Sequence, residues 1–103
     1  MNAGAAIPAA GLERLLNRVG KRVFVEHFED FRTTRLSPAE VVALLPQEFT
    51  LKSRWSRTSK ARRIFREGLA AEALRLIAAS DRVDPAIARR AQHLLEQIVT
   101  GLA

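Results

Sequence analysis

The sequence contains no cysteine, which excludes disulfide bridges, thiolate zinc sites and a cysteine nucleophile. No run of apolar residues approaches the roughly 18 that a membrane-spanning helix needs. The first residues lack the basic start and the continuous apolar stretch of a secretory signal. The chain also has no tyrosine and a single tryptophan, and its five glycines are too scattered to form a phosphate-binding loop. These absences lead us to expect a small cytoplasmic protein.

The composition is that of one folded, basic domain. The chain has 103 residues, enough for a single core, and its 48% apolar and 27% charged residues are typical of a globular protein. Seventeen lysines and arginines stand against eleven acidic residues, for a formal net charge of +6. A basic balance of this size favours nucleic acid or an acidic protein surface as the partner.

Residues that support catalysis or bind metals are few. His27 and His93 are the only histidines, lie far apart in the sequence and have no metal-ligand pattern around them. Glu26 with Glu29 or Asp30 places carboxylates one helical turn apart, but such carboxylates more often pair with basic residues on a solvated face than bind a cation. We therefore expect no enzymatic activity, no metal and no cofactor.

Apolar residues recur at steps of three and four, which predicts an all-α fold, a small bundle of about five helices. Residues 1–11 are small and uncharged, so we expect a flexible N-terminal arm followed by a single helical domain over 12–103. The first helical run extends from Leu12 to Phe31, and Gly20 marks either a kink or the end of a first short helix. Residues 22–26 alternate as a strand would, but the sequence offers no partner strand, so we favour helix.

The next two helices have clear start signals. Ser37 is a predicted N-cap, Pro38 suits the first helical position and Glu40 completes a capping box, while Pro46 ends this helix. Its apolar side comprises Val41, Val42, Leu44 and Leu45. Thr50 is a predicted cap for the helix that follows.

The helix after Thr50 has an ambiguous register. As a single helix over 51–65 it turns Leu51, Trp55, Thr58 and Phe65 inward, but Arg62 then falls among them, and a buried unpaired arginine is costly. Either Arg62 extends its charged end to solvent along its aliphatic stem, or the helix bends or restarts at Ser59. A restart aligns Ala61, Ile64, Phe65, Gly68 and Leu69. We favour the bend or restart.

Two further helices complete the pattern. Residues 70–79 form one, with Ala73, Leu74 and Ile77 inward. Asp84 is the predicted N-cap of the last helix and Pro85 its first residue. The apolar face of this helix comprises Ile87, Ala91, Leu94, Leu95, Ile98 and Leu102. That face either closes the core or forms a seam for a homodimer or a protein partner, and of the two we favour closure.

The positive charge is concentrated in one segment. Residues 52–66 hold seven cations and no acid, whereas the rest of the chain holds ten cations and eleven acids. Long cations interleaved with hydroxyls suit phosphates and base edges. The predicted nucleic-acid-binding residues are Lys52, Ser53, Arg54, Ser56, Arg57, Lys60, Arg63 and Arg66. A helical wheel places Ser53, Ser56, Arg57, Lys60 and Arg63 opposite Leu51 and Trp55.

Two other interpretations of the basic segment stay open. It can dock on an acidic protein, or it can be a solvated face near Glu26, Glu29 and Asp30. Trp55 can stack on a base, but its phase with Leu51 favours a core position.

Residues 36–45, a short turn and residues 50–57 resemble the helix-turn-helix of sigma-factor region four, and are similar to related response-regulator DNA-binding domains. Glu40 follows a Ser37 cap as in that family, and its Thr-x-Lys-Ser-Arg-x-Ser-Arg run is matched by Thr50, Lys52, Ser53, Arg54, Ser56 and Arg57. The resemblance implies that Thr50 caps a recognition helix. It also implies that Lys52, Ser53, Arg54 and Arg57 lie toward DNA, with Leu51 and Trp55 inward.

We therefore expect a small DNA-binding protein, a transcriptional regulator or accessory factor. The alternatives are an adaptor, such as an antitoxin or phage-type modulator, that docks its basic helix on an acidic partner, and an RNA-binding protein. About five phosphate contacts predict a slope of about −4 to −5 for log affinity against log salt. Glutamates at Arg57, Lys60 and Arg63 are predicted to abolish binding without unfolding the domain.

Overall fold

The computed structural model describes residues 9–101, which contain seven helices and no strand. The helices are α1 (Ala9–Val19), α2 (Lys21–Glu26), α3 (Phe28–Arg32), α4 (Pro38–Leu44), α5 (Leu51–Arg66), α6 (Ala70–Ala78) and α7 (Pro85–Val99). The all-α prediction is confirmed. There are more than five helices because the run from Leu12 to Phe31, predicted as a single helix or as one divided at Gly20, is divided at two places.

The first division is at Gly20, which has a φ of 95° and ends α1. Of the two roles predicted for this glycine, the structure shows the end of a short helix. Helix α1 begins at Ala9, so residues 9–11 of the predicted arm are helical, and residues 1–8 lie outside the described part of the chain.

The second division is at His27, whose φ of −113° and ψ of 25° separate α2 from α3. The His27 amide still donates to the Val23 carbonyl and the Phe31 amide to the His27 carbonyl, both at 3.0 Å. His27 thus keeps both of its own helical hydrogen bonds at the bend. Residues 22–26 are helical, as favoured over a strand.

The core is centred on Phe24, which is fully buried. Its ring centroid lies 5.6 Å from those of Phe28 and Phe65 and 6.3 Å from that of Phe31. Aromatic rings at such separations add to the stabilisation that comes from burying them. Around this cluster α5 packs across α1, α3 and α4, and α6 packs against α7.

Helix α4 begins with the predicted capping box. The Ser37 hydroxyl accepts from the Glu40 amide at 3.2 Å, and the Glu40 carboxylate accepts from the Ser37 amide at 2.8 Å. Val41, Val42 and Leu45 are buried, whereas Leu44 is 50% exposed. The inward prediction for Leu44 was wrong because this short helix meets α5 along one side only.

The C-terminal pair matches its predicted faces. Ala73, Leu74 and Ile77 of α6 are buried, as are Ile87, Ala91, Leu94 and Leu95 of α7, while Ile98 is partly buried. Asp84 caps α7 by accepting from the Ala86 amide at 2.8 Å. The apolar face of α7 therefore closes the core of this chain, and Leu102 lies outside the described residues.

Gly20→Ala is expected to lower the free energy of unfolding by about 2–3 kcal/mol. An alanine at this position would be strained by the positive φ, and its Cβ would lie 2.9 Å from Nη1 of Arg57. Gly68→Ala is the matched control, because Gly68 has a φ of 74° but no atom within 4 Å of the added Cβ. Urea denaturation should show the larger loss for Gly20→Ala, and equal losses would contradict a packing role for Gly20.

Candidate nucleic-acid interface

The basic segment forms one unbroken helix, α5, over Leu51–Arg66. The Thr50 hydroxyl accepts from the Ser53 amide at 3.0 Å, which confirms the predicted cap. The predicted restart of the helix at Ser59 was wrong, because α5 is helical throughout. That prediction rested on the cost of burying Arg62 without a partner, and Arg62 has partners.

Arg62 binds the backbone between α3 and α4. Its Nη2 donates to the carbonyls of Leu36 at 2.8 Å, Thr33 at 3.1 Å and Asp30 at 3.3 Å. Carbonyls at the end of a helix and in a connection lack helical partners, so a buried guanidinium satisfies them and is itself stabilised. A single helix can therefore carry Arg62 on its partly buried side.

The inward row of α5 consists of Thr58, Ala61 and Ile64, all buried. Leu51 is 58% exposed and Trp55 is 43% exposed, so their predicted inward positions were wrong. The second half of α5 packs into the core and sets the register of the whole helix. The two apolar residues of its first half are thereby turned outward.

Two predicted nucleic-acid-binding arginines contact the protein itself. Arg54 donates from Nε to the Phe49 carbonyl at 3.2 Å. Arg57 donates from Nη1 to the Val19 carbonyl at 2.6 Å and from Nε to the Ser53 hydroxyl at 2.9 Å. Its guanidinium also lies 3.8 Å from the Phe49 ring centroid, a cation–π contact. The predicted place of Arg57 on the exposed face was therefore wrong, because the carbonyl at the end of α1 holds it against the domain.

The remaining cations share the opposite side of the helix. Lys52, Trp55, Ser59, Arg63 and Arg66 are exposed. Beside them lie half-buried Ser56 and Lys60, and Lys60 Nζ donates to the Ser56 hydroxyl at 2.7 Å. We call this surface the outer face of α5; it comprises Lys52, Trp55, Ser56, Ser59, Lys60, Arg63 and Arg66. It brings together five of the predicted residues and leaves out Ser53, Arg54 and Arg57. Ser59 was not among the predicted residues, and Trp55 was considered for base stacking but assigned to the core.

No carboxylate neutralises α5 in the described chain. Within residues 9–101 the acid–base contacts closer than 4.0 Å are Arg22–Glu26, His27–Asp30, Arg32–Glu29 and Arg75–Glu72. Glu26, Glu29 and Asp30, the acids considered as neighbours of the basic segment, pair instead with residues of α2, α3 and the bend between them. The charge of the outer face is therefore uncompensated by ion pairs.

Residues 9–101 also bear on the histidines, on metal binding and on membrane-spanning helices. They hold no group of three His, Asp or Glu side chains placed to bind a metal ion. His27 Nδ1 lies 3.1 Å from Asp30 Oδ2 beside the bend, and His93 is exposed on α7. No helix in the described range is long and apolar enough to cross a membrane.

Comparisons with known proteins do not place the chain in a family. No family model matches it, and neither the curated proteins nor the solved structures include a match. The resemblance to sigma-factor region four therefore depends on residues 36–57 alone.

Proposed function

We propose that this protein binds DNA through the outer face of α5 and acts as a transcriptional regulator or accessory factor. One observation carries the proposal: Lys52, Lys60, Arg63 and Arg66 lie on one side of one helix with no carboxylate of residues 9–101 within ion-pair distance. A row of uncompensated cations attracts the phosphate backbone by releasing its counterions.

The packing of α4 on α5 favours a helix-turn-helix mode of binding. In that mode α4 lies across the backbone and α5 enters the major groove with its Thr50-capped end leading. Lys52 and Ser56 then face the DNA early in the helix, and Arg63 lies two turns further on. An arginine in the groove can donate two hydrogen bonds to guanine, whereas lysine and serine make single contacts.

The inward arginines support this mode by making the helix rigid. Arg57 joins the first half of α5 to the end of α1, and Arg62 joins its second half to the α3–α4 connection. A recognition surface on an anchored helix loses less conformational entropy when it binds. A single module of this size buries little surface on DNA, and a homodimer would bury more. Because the apolar face of α7 is buried within the chain, such a homodimer would need another surface.

An acidic protein partner is the second candidate, and exposed apolar residues favour it. Leu44, Leu51 and Trp55 are 50%, 58% and 43% exposed, and they lie at the end of α4 and in the first half of α5. An adaptor that docks on an acidic surface would use such residues as anchors beside the basic row. RNA is recognised by the same charges, so the experiment below includes it.

The test is fluorescence anisotropy with labelled random-sequence duplex DNA and duplex RNA at several salt concentrations. We expect micromolar DNA binding, tighter than RNA binding, and a slope of about −3 to −4 for log affinity against log salt. That slope is shallower than the sequence suggested because Arg57 is engaged inside the protein. Absence of DNA binding at low salt would reject the proposal and leave the acidic protein partner.

A further inference from the structure

A pocket of about 390 Å³ lies beside the outer face of α5, where α4 begins. It is lined by Pro38, Trp55, Thr58, Ser59, Arg62 and Arg66. Its volume lies within the range of pockets that hold small organic ligands. Four of its six lining residues, Thr58, Ser59, Arg62 and Arg66, carry a hydroxyl or a guanidinium.

Two polar groups of this lining, the Thr58 hydroxyl and Arg62 Nε, are buried and have no hydrogen-bond partner among the described residues. Thr58 is 1% exposed, and Arg62 is held in place by the three carbonyls on its Nη2. Buried polar atoms without partners are rare in native proteins. A hydroxyl and an Nε–H both donate, and Arg66 adds a positive charge, so these three residues together fit a group rich in acceptors and negatively charged.

Trp55 gives the pocket a flat apolar wall. Trp55 is 43% exposed, whereas the five phenylalanines are buried or partly buried against the core. Indole rings stack on nucleic-acid bases of every type. The pocket therefore joins a surface for a base to donors for a phosphate.

We propose that this pocket binds a nucleotide, with its phosphate at Thr58, Arg62 and Arg66 and its base stacked on Trp55. The nucleotide is either a free monophosphate or an unpaired nucleotide of a bound strand, and in the second case the proposal rests on the proposed function. Because both donors are buried, a phosphate reaches them only if side chains around the pocket change rotamer, and exposed side chains do so within nanoseconds.

Nucleotide binding at Trp55 can be followed by tryptophan fluorescence, because Trp55 is the only tryptophan and there is no tyrosine. At constant ionic strength, 5′-AMP is expected to quench the tryptophan emission saturably. Adenosine, which absorbs light equally but has no phosphate, should bind about tenfold more weakly. Inorganic phosphate should compete with 5′-AMP without quenching. Single-stranded and duplex oligonucleotides form the second arm.

Thr58→Val separates binding from folding. The valine keeps the side-chain shape and removes the unpartnered hydroxyl, so stability should be unchanged or raised while 5′-AMP affinity falls about tenfold. Arg66→Gln should also weaken 5′-AMP about tenfold. Arg90→Gln, an exposed arginine on α7 outside the pocket, is the matched control and should have no effect.

Each outcome bears on the pocket separately from DNA binding. Quenching by 5′-AMP, or by single strands alone, that is weakened in Thr58→Val supports the proposal and identifies the source of the nucleotide. Saturable quenching without duplex binding would support the pocket and reject the proposed function. Duplex binding with no quenching by 5′-AMP or single strands would reject the pocket alone. An unchanged 5′-AMP affinity in Thr58→Val, whatever the stability of that variant, would also overturn it.

Discussion

Replacing Lys52, Arg63 and Arg66 together by glutamate is expected to weaken duplex DNA binding at least about 100-fold. These three side chains are exposed and have no partner among residues 9–101. Their replacement should therefore weaken DNA binding without destabilising the fold. The loss of three phosphate contacts should also reduce the salt slope by about 3. The measurement is anisotropy against salt, with circular dichroism and urea denaturation as evidence that the fold is intact.

The matched control replaces Arg14, Arg89 and Arg90 by glutamate. These arginines are equally exposed but lie on α1 and α7, and the change in net charge is the same. We expect only a small loss of affinity, because screened charges away from the interface act weakly at physiological salt. If both triple variants lose affinity equally, net charge and not the outer face of α5 explains DNA binding.

The structure makes this a better test than the triple suggested by the sequence. Arg57, Lys60 and Arg63 seemed to share an exposed face, but Arg57 donates to the Val19 carbonyl and covers the Phe49 ring. Glutamate there would remove both contacts and place a carboxylate beside a carbonyl. A loss of binding in that variant would therefore combine unfolding with the loss of the interface.

Arg62→Met is expected to lower the free energy of unfolding by about 3 kcal/mol. Methionine keeps the aliphatic stem but leaves the carbonyls of Asp30, Thr33 and Leu36 without their donor. Because those carbonyls belong to the end of α3 and the connection to α4, the α3–α4 segment should also lose protection from hydrogen exchange. The primary measurement is urea denaturation at constant pH and salt.

The neighbouring arginine is the control. Arg63 is exposed and its side chain makes no hydrogen bond within the described chain, so Arg63→Met should change stability by no more than about 0.5 kcal/mol. Arg62→Lys should fall between the two, since an ammonium keeps the charge but cannot reproduce the guanidinium geometry. Equal stabilities for Arg62→Met and Arg63→Met would show that the three carbonyl contacts contribute nothing.

Local signals in the sequence were sufficient for the elements on which the interface is built. Ser37 with Glu40, Thr50 and Asp84 each cap a helix through their own side chains, and the partners lie within three residues. The apolar faces of α6 and α7 were also predictable, because a regular spacing and small or aliphatic residues leave only one direction for burial.

The register of α5 was not predictable in the same way. Its first half offers Leu51 and Trp55 as candidates for burial, and its second half offers Ala61 and Ile64, on a different side. The hydrophobic pattern alone could not decide between these sides. The packing of the second half into the core decided it and left Trp55 on the surface.

The sequence by itself determined that this protein is helical, where most helices begin, and that its positive charge is concentrated in one segment. Only the tertiary structure decided which of those charges are free. Arg54, Arg57 and Arg62 turn inward because carbonyls of Phe49, Val19 and Leu36 need donors, and two of these three acceptors lie 26 or more residues away along the chain. Whether a cationic side chain is exposed or bound within the protein depends on acceptors that folding brings near it. The spacing of residues along one helix carries no information about those acceptors.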